Sequence, residues 1–217
     1  MNRCLEECRL CPRLSGFLDE VKDRHPDYHS RPVSPFGDEN AKLLIVGLAP
    51  GLHGANRTGR PFTGDHAGLL LYETLYRFGY SNQPVSEKGD GLMLVDCRIS
   101  NAVKCLPPGN KPEPAEIRQC NAYLSQELSS MAQGSAILAL GTIAHNAVLS
   151  ALDLKPKDHP FGHGKVHDLG NLRLYDSYHC SRYNTQTKRL TAEMFEAVFR
   201  EIREYLGEKP CLTSTSG

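Results

Sequence analysis

Three short apolar runs punctuate the chain: "KLLIVGLA" at 42–49, "SAILALG" at 135–141 and "LRLYDSYH" at 172–179. Unbroken apolar stretches of this length predict buried strands of the kind a parallel sheet uses. "GLMLVDCRISNAVKC" at 91–105 begins the same way and turns polar near Asn101. Between the runs the apolar spacing lengthens to that of helices. "AGLLLYETLYRFG" (67–79) predicts a helix ended by Gly79, and "PEPAEIRQCNAYLSQELSSMA" opens with prolines that suit a first helical turn. "TIAHNAVLSALDL" predicts another helix with Thr142 as its cap. The last helix, about 187–206, sets Leu190, Met194, Val198, Ile202 and Leu206 on one stripe, which is a core face.

Strand and helix alternate along the whole chain. That order predicts an α/β fold, a central, mostly parallel β-sheet with helices on both faces. In such sheets a site forms beyond the carboxyl ends of the strands. The polar stretches 50–65, 101–105 and 179–184 all fall there, so three strand exits are expected to converge on one cleft.

Length and composition narrow the class. The 217 residues suit one domain, taken as 1–208 including the N-terminal cysteine segment, with 209–217 as a tail. Hydrophobic content of 40% and charged content of 23% are ordinary for a globular protein. No apolar stretch is long enough to span a bilayer, and "MNRCLEECRLCPRL" does not read as a signal peptide, so a cytoplasmic protein is expected, nucleoid-associated in a prokaryote. Formal net charge is zero, and nucleic-acid binding would have to rest on local patches. "SRYNTQTKR" (181–189), with Arg182, Lys188 and Arg189, is one; Arg57 and Arg60 form another.

The exit of the first run, "GLAPGLHGANRTGRPFTGD" (47–65), holds five glycines and a single carboxylate, Asp65. "GANRTGRP" has glycines at P-loop spacing, but Arg60-Pro61 stands where a phosphate-binding Lys and a Mg²⁺-binding hydroxyl are needed, and no GxGxxG follows. A nucleotide loop is therefore disfavoured. Glycines let backbone approach a ligand closely, Phe62 can stack on a planar ring, and Asp65 can orient water or stabilise a cation.

These residues carry a resemblance. "GLAPGLHGANRTGRPFTGD", "ISNAVKCLPPGNKPEP" and "HCSRYNTQTKRLT" resemble, in order, three motifs of the family 5 (type b) uracil-DNA glycosylases, over nearly the whole chain. The resemblance implies a monofunctional enzyme that flips a damaged nucleotide out of DNA and hydrolyses its N-glycosidic bond, leaving an abasic site. It implies that Phe62 stacks on the base and Asn101 reads its edge, with Gly47, Ala49 and Gly51 along the pocket wall. His179 would donate to the base oxygen as it becomes anionic, and Asp65 would position water and stabilise the oxocarbenium-like sugar. Arg57, Arg60, Ser181, Arg182, Tyr183 and Asn184 would contact DNA. "GLAPG" replaces the acidic "GEAPG" of the family 4 pattern, which leaves Asp65 as the candidate acid and fits a broader range including deaminated purines such as hypoxanthine. "HCSRYNT" departs from "HPSRQNT" at Cys180 and Tyr183; loss of proline frees the backbone after His179, and Tyr183 could wedge into the base stack. A weakly catalytic lesion-binding protein of the same fold is the alternative, and those two changes are its grounds.

Eight cysteines in a reducing compartment suggest metal more than disulfide. Two residues separate Cys8 from Cys11, and fourteen separate Cys105 from Cys120. That pattern resembles the [4Fe–4S] ligands of the family 4 and 5 glycosylases, while spacing alone fits zinc equally, as in a zinc-stapled binding module. Cys4 is left free, Cys97 is a core residue, and Cys180 and Cys211 have no named partner. His25, His29, His145, His159, His163 and His167 are taken as structural or solvated, and His53 and His66 flank the site without a role. Lys104 is expected to contact phosphate, with no lyase activity. The chain is expected to be a monomer acting on DNA that contains uracil or other deaminated bases.

Overall fold

The computed structural model describes residues 5–207; Cys4, Cys211 and the 209–217 tail lie outside the described residues. The strands are β1 (Phe36–Gly37), β2 (Leu43–Gly47), β3 (Cys97–Asn101), β4 (Ser135–Leu140), β5 (Val166–Asp168) and β6 (Leu172–Ser177). They form one sheet in the order β1-β3-β2-β4-β6-β5, whose four inner strands run parallel and whose two short edge strands run antiparallel. Every residue of β2 and β4 is buried, as the unbroken apolar runs require of inner strands.

The helices are α1 (Pro12–Arg24), α2 (Ala55–Thr58), α3 (His66–Arg77), α4 (Pro114–Ser129), α5 (Thr142–Ala151), α6 (Arg182–Gln186) and α7 (Ala192–Tyr205). One core lies between the sheet and α3 and α7, built on Leu71, Leu75, Phe195, Phe199 and Ile202; the opposite face packs α4 and α5 through Leu124, Leu128, Val148 and Leu149. A third cluster joins Leu14, Leu18 and Val21 of α1 to Val103, Leu106 and two cysteines.

Three boundaries differ from the sequence expectation. The polar cap expected at Thr142 is absent, because Gly141 (φ +96°) makes the entry and Thr142 already lies in the helix. The last helix does not start near 187: α6 ends there, Lys188 takes φ +56°, and Thr191 caps α7 by accepting from the Met194 N–H. The run from 91 does not extend straight into β3, since Asp96 (φ +51°) turns the chain first. On the last-helix stripe Leu190, Val198 and Ile202 are buried, with Met194 and Leu206 packed at its edge.

Candidate active site

Three of the parallel strands deliver the site. β2 leads into the glycine-rich segment, β3 ends at Asn101, and β6 leads to His179. Their exits surround a cavity of about 320 Å³ lined by Ala49, Gly51, Phe62, Asp65, Asn101 and His179, among others. A larger open groove of about 900 Å³ adjoins it, and Asp65 and Arg182 line both.

Asp65 is held by the helix that follows it. As the N-cap of α3 it accepts the Gly68 N–H on Oδ1 at 3.1 Å, an ordinary use of aspartate at that position. Its other oxygen points toward Gly54, where a methyl group would lie 2.6 Å from Oδ2; glycine there is what lets the carboxylate fit. Burial raises the Asp65 pKa, and the N–H groups of Gly68 and Ala67 pull it partly back.

Phe62 is buried, adopts φ +55°, and lies with its ring 5.8 Å from that of His179 at an interplanar angle of 28°. Asn101 is buried at the end of β3, opposite Gly47 in the ladder. Gly47 itself sits behind these two side chains. His179 keeps part of its surface exposed, yet desolvation of the imidazole pulls its pKa down to about 4, so the ring is neutral at physiological pH and still has one N–H to donate. Cys180 is fully buried, and burial together with the Asp65 charge pushes its thiol up to about 12.

The expected DNA contacts divide. Arg57, Arg182 and Tyr183 are exposed at the rim, Tyr183 with 70% of its surface free. Ser181 caps α6, and Asn184 turns inward, its Nδ2 donating to the His179 carbonyl at 2.8 Å. Arg60 is engaged elsewhere: its guanidinium pairs with Asp90 at 2.7 Å, donates to Ser86 and the Glu87 carbonyl, and lies over the Phe36 ring, with side chains only 17% and 14% exposed in the pair. Lys104 also departs from expectation. It is 1% exposed and its ammonium is bound to Glu127 at 2.6 Å and to Ser100, so it faces the interior and not a phosphate. Sequence gave no signal for either pair, since Asp90 lies in an aperiodic loop and Glu127 sits on α4, and each is more than twenty residues from its cation. His66 ties α3 to α6 through Thr185 Oγ1 at 3.0 Å, and His53 Nδ1 shares a hydrogen bond with the Tyr28 hydroxyl at 2.8 Å.

Cys8, Cys11, Cys105 and Cys120 gather around a small apolar pocket between α1, the 103–106 segment and α4. Burial raises Cys105 and pushes Cys120 to about 11, and the neighbouring sulfurs add to both shifts. Four thiolates can share this space only with a cation to compensate them. The backbone N–H of Lys104 donates to Cys120 Sγ at 3.3 Å, as outer partners of metal-bound thiolates do. Four cysteine sulfurs converging on one apolar pocket are a donor set that suits a thiolate-bound metal centre.

Asp65 and a neutral His179 thus face one cavity beside Phe62 at the carboxyl ends of a parallel sheet, an arrangement that suits a hydrolytic reaction. Residues 34–203 match the model of the uracil DNA glycosylase superfamily. The chain is 46% identical to a type-5 uracil-DNA glycosylase of Thermus thermophilus, over 94% of this chain and 95% of that protein. It is 43% identical to a type-5 uracil-DNA glycosylase of Mycobacterium tuberculosis, over 95% and 81%. A type-4 uracil-DNA glycosylase of Archaeoglobus fulgidus is 30% identical over 82% and 83%. The chain belongs to the uracil-DNA glycosylase superfamily, and its similarity is greater to these type-5 members than to the type-4 one.

Proposed function

We propose that the chain removes uracil from DNA by hydrolysing its N-glycosidic bond after flipping the nucleotide into the cavity. The observation that carries this is the placement of Asp65 and neutral His179 on one cavity together with Phe62 and Asn101. Phe62 stacks on the base and Asn101 hydrogen-bonds its edge. Bond breaking sends the electron pair to the base; His179, already neutral, donates a hydrogen bond to the base oxygen without having to give up a full charge. Asp65, fixed by the α3 N-terminus, holds a water for attack on the sugar carbon and stabilises the cationic sugar. Ala49 and Gly51 offer no side chain that reads a base, which supports acceptance of other deaminated bases such as hypoxanthine.

Arg57, Arg182 and Ser181 meet the phosphates and Tyr183 fills the vacated stack. The chain is proposed to act as a monomer with one domain over 1–208. No helix among the described residues is long and apolar enough to cross a membrane. Cys8, Cys11, Cys105 and Cys120 would hold a [4Fe–4S] cluster, which when bound ties the N-terminal segment to the loop after Asn101.

Single-turnover cleavage of end-labelled DNA carrying one uracil tests the assignment, with a binding titration on the same DNA. Wild type is expected to cleave, and Asp65→Asn and His179→Ala to lose about 10²-fold or more in rate while binding persists. Tight binding without wild-type cleavage, on uracil and on hypoxanthine, would instead identify a lesion-binding protein.

A further inference from the structure

His145, His167 and Asp176 meet away from the cavity, where α5, β5 and β6 come together. Asp176 is fully buried, and its carboxylate accepts from His145 Nδ1 at 2.7 Å, from His167 Nε2 at 3.1 Å and from the Gly162 N–H at 3.2 Å. His145 Nε2 faces the His159 carbonyl at 2.8 Å. Both ring nitrogens of His145 thus face oxygen atoms, which fixes the ring between β6 and the 159–165 segment.

These bonds clamp the segment 159–165 onto β6. The backbone adds two more ties, Gly164 N–H to the Asp176 carbonyl and Asp176 N–H to the Lys165 carbonyl, both 2.9 Å. From the middle of the clamped segment His163 reaches toward the site. Its Nδ1 accepts the Tyr178 N–H at 3.2 Å and lies 3.4 Å from Ser177 Oγ, and its ring stacks on Tyr178 at 5.0 Å and 16°. The same ring hydrogen-bonds the Met194 backbone of α7. Tyr178 is the residue before His179. An N–H needs an acceptor, so His163 serves only with Nδ1 unprotonated; burial lowers its pKa and keeps it so.

We propose that His163, held in register by the Asp176 cluster, is a positioning residue for His179: it fixes the Ser177–Tyr178 peptide and the Tyr178 ring, and through them the imidazole that faces Phe62. The role rests on the glycosylase function proposed above. It concerns aim and not binding, because neither His163 nor Asp176 lines the cavity.

The test compares the full chain as wild type, His163→Phe, His163→Asn and Asp176→Asn, by single-turnover uracil release, by Kd for the same DNA and by the NMR shifts of the His179 ring. His163→Phe keeps a ring on Tyr178 but removes the acceptor. It is expected to lose about ten-fold to a hundred-fold in rate with Kd changed by less than about two-fold, and to move the His179 resonances. Asp176→Asn is expected to act in the same direction. His163→Asn retains an acceptor oxygen near the Nδ1 position and should restore most of the rate and the shifts. A wild-type rate in His163→Phe overturns the proposal, and so does a His163→Asn no better than His163→Phe. Should the wild type release no base, the glycosylase assignment is what fails; the His179 shifts still decide the positioning role, unmoved resonances in His163→Phe counting against it.

Discussion

Phe62 closes directly over Gly47, and Asn101 fills the same space from the neighbouring strand. A methyl group on Gly47 would stand 2.6 Å from Phe62 Cζ and 2.5 Å from Asn101 Oδ1. The missing side chain at the end of β2 thus seats both residues assigned to the base. Phe62 already holds a left-handed backbone conformation, which leaves it little room to retreat. Gly47→Ala is expected to cost about 1–3 kcal/mol of stability by overpacking and to lower uracil release about 10²-fold through misplaced contacts. Thermal melting and single-turnover rates on one preparation check both; an unchanged rate would mean that Phe62 and Asn101 do not set the base position.

His179 gives a pH signature. Its pKa in the folded protein is about 4, against an ordinary value of 6.5. Its NMR shifts should therefore stay constant from pH 8 to about 5, and uracil release should show no step near 6.5. Between 6.5 and 4 the unfolded chain binds a proton that the folded one does not, so this residue's contribution to stability is present above 6.5 and is lost as pH falls through that window. A titration of the His179 ring centred near 6.5 would show that the ring is hydrated and not desolvated.

Arg182 and Arg60 should separate in salt. Arg182 is exposed beside the cavity, and Arg182→Ala is expected to reduce the slope of log Kd against log salt by about one with melting unchanged. Arg60→Ala should leave the slope alone and cost about 1–3 kcal/mol, because it strands Asp90 in a half-enclosed pocket. Salt titrations of the two variants on one duplex are sufficient.

Removing one cluster thiolate should leave a visible trace. The [4Fe–4S] assignment proposed above predicts a brown protein, and Cys105→Ala is expected to lose that visible absorbance together with iron and sulfide and to lower Tm. Cys97→Ala, which alters a buried strand residue away from the four sulfurs, should keep its iron. A colourless wild type carrying one zinc would count against iron–sulfur.

The inner strands were readable because parallel strands buried on both faces leave unbroken apolar runs, as in Leu43–Gly47 and Ser135–Leu140. The edge strands Phe36–Gly37 and Val166–Asp168 are too short to leave such a mark. Asp65, Asn101 and His179 were legible as polar residues at strand exits, and the structure brings them to one cavity. Arg60 and Lys104 were not legible in their actual settings: each is a cation in a polar stretch, and only the folded chain reveals the acid, Asp90 or Glu127, that meets it. The His145–Asp176–His167 cluster spans a helix and two strands, so nothing local to any one of the three announced it.

The order in which the strands enter the sheet also sets when the site can exist. The glycine-rich segment and Asn101 come from β2 and β3, but His179 follows β6, which needs β4 already in place beside it. During synthesis a chain that has emerged only as far as β4 carries Asp65 and Phe62 without the opposing imidazole. On the site assignment proposed above, hydrolytic competence is a late event in biogenesis: a chain that stops before His179 is expected to release no uracil from the DNA it meets.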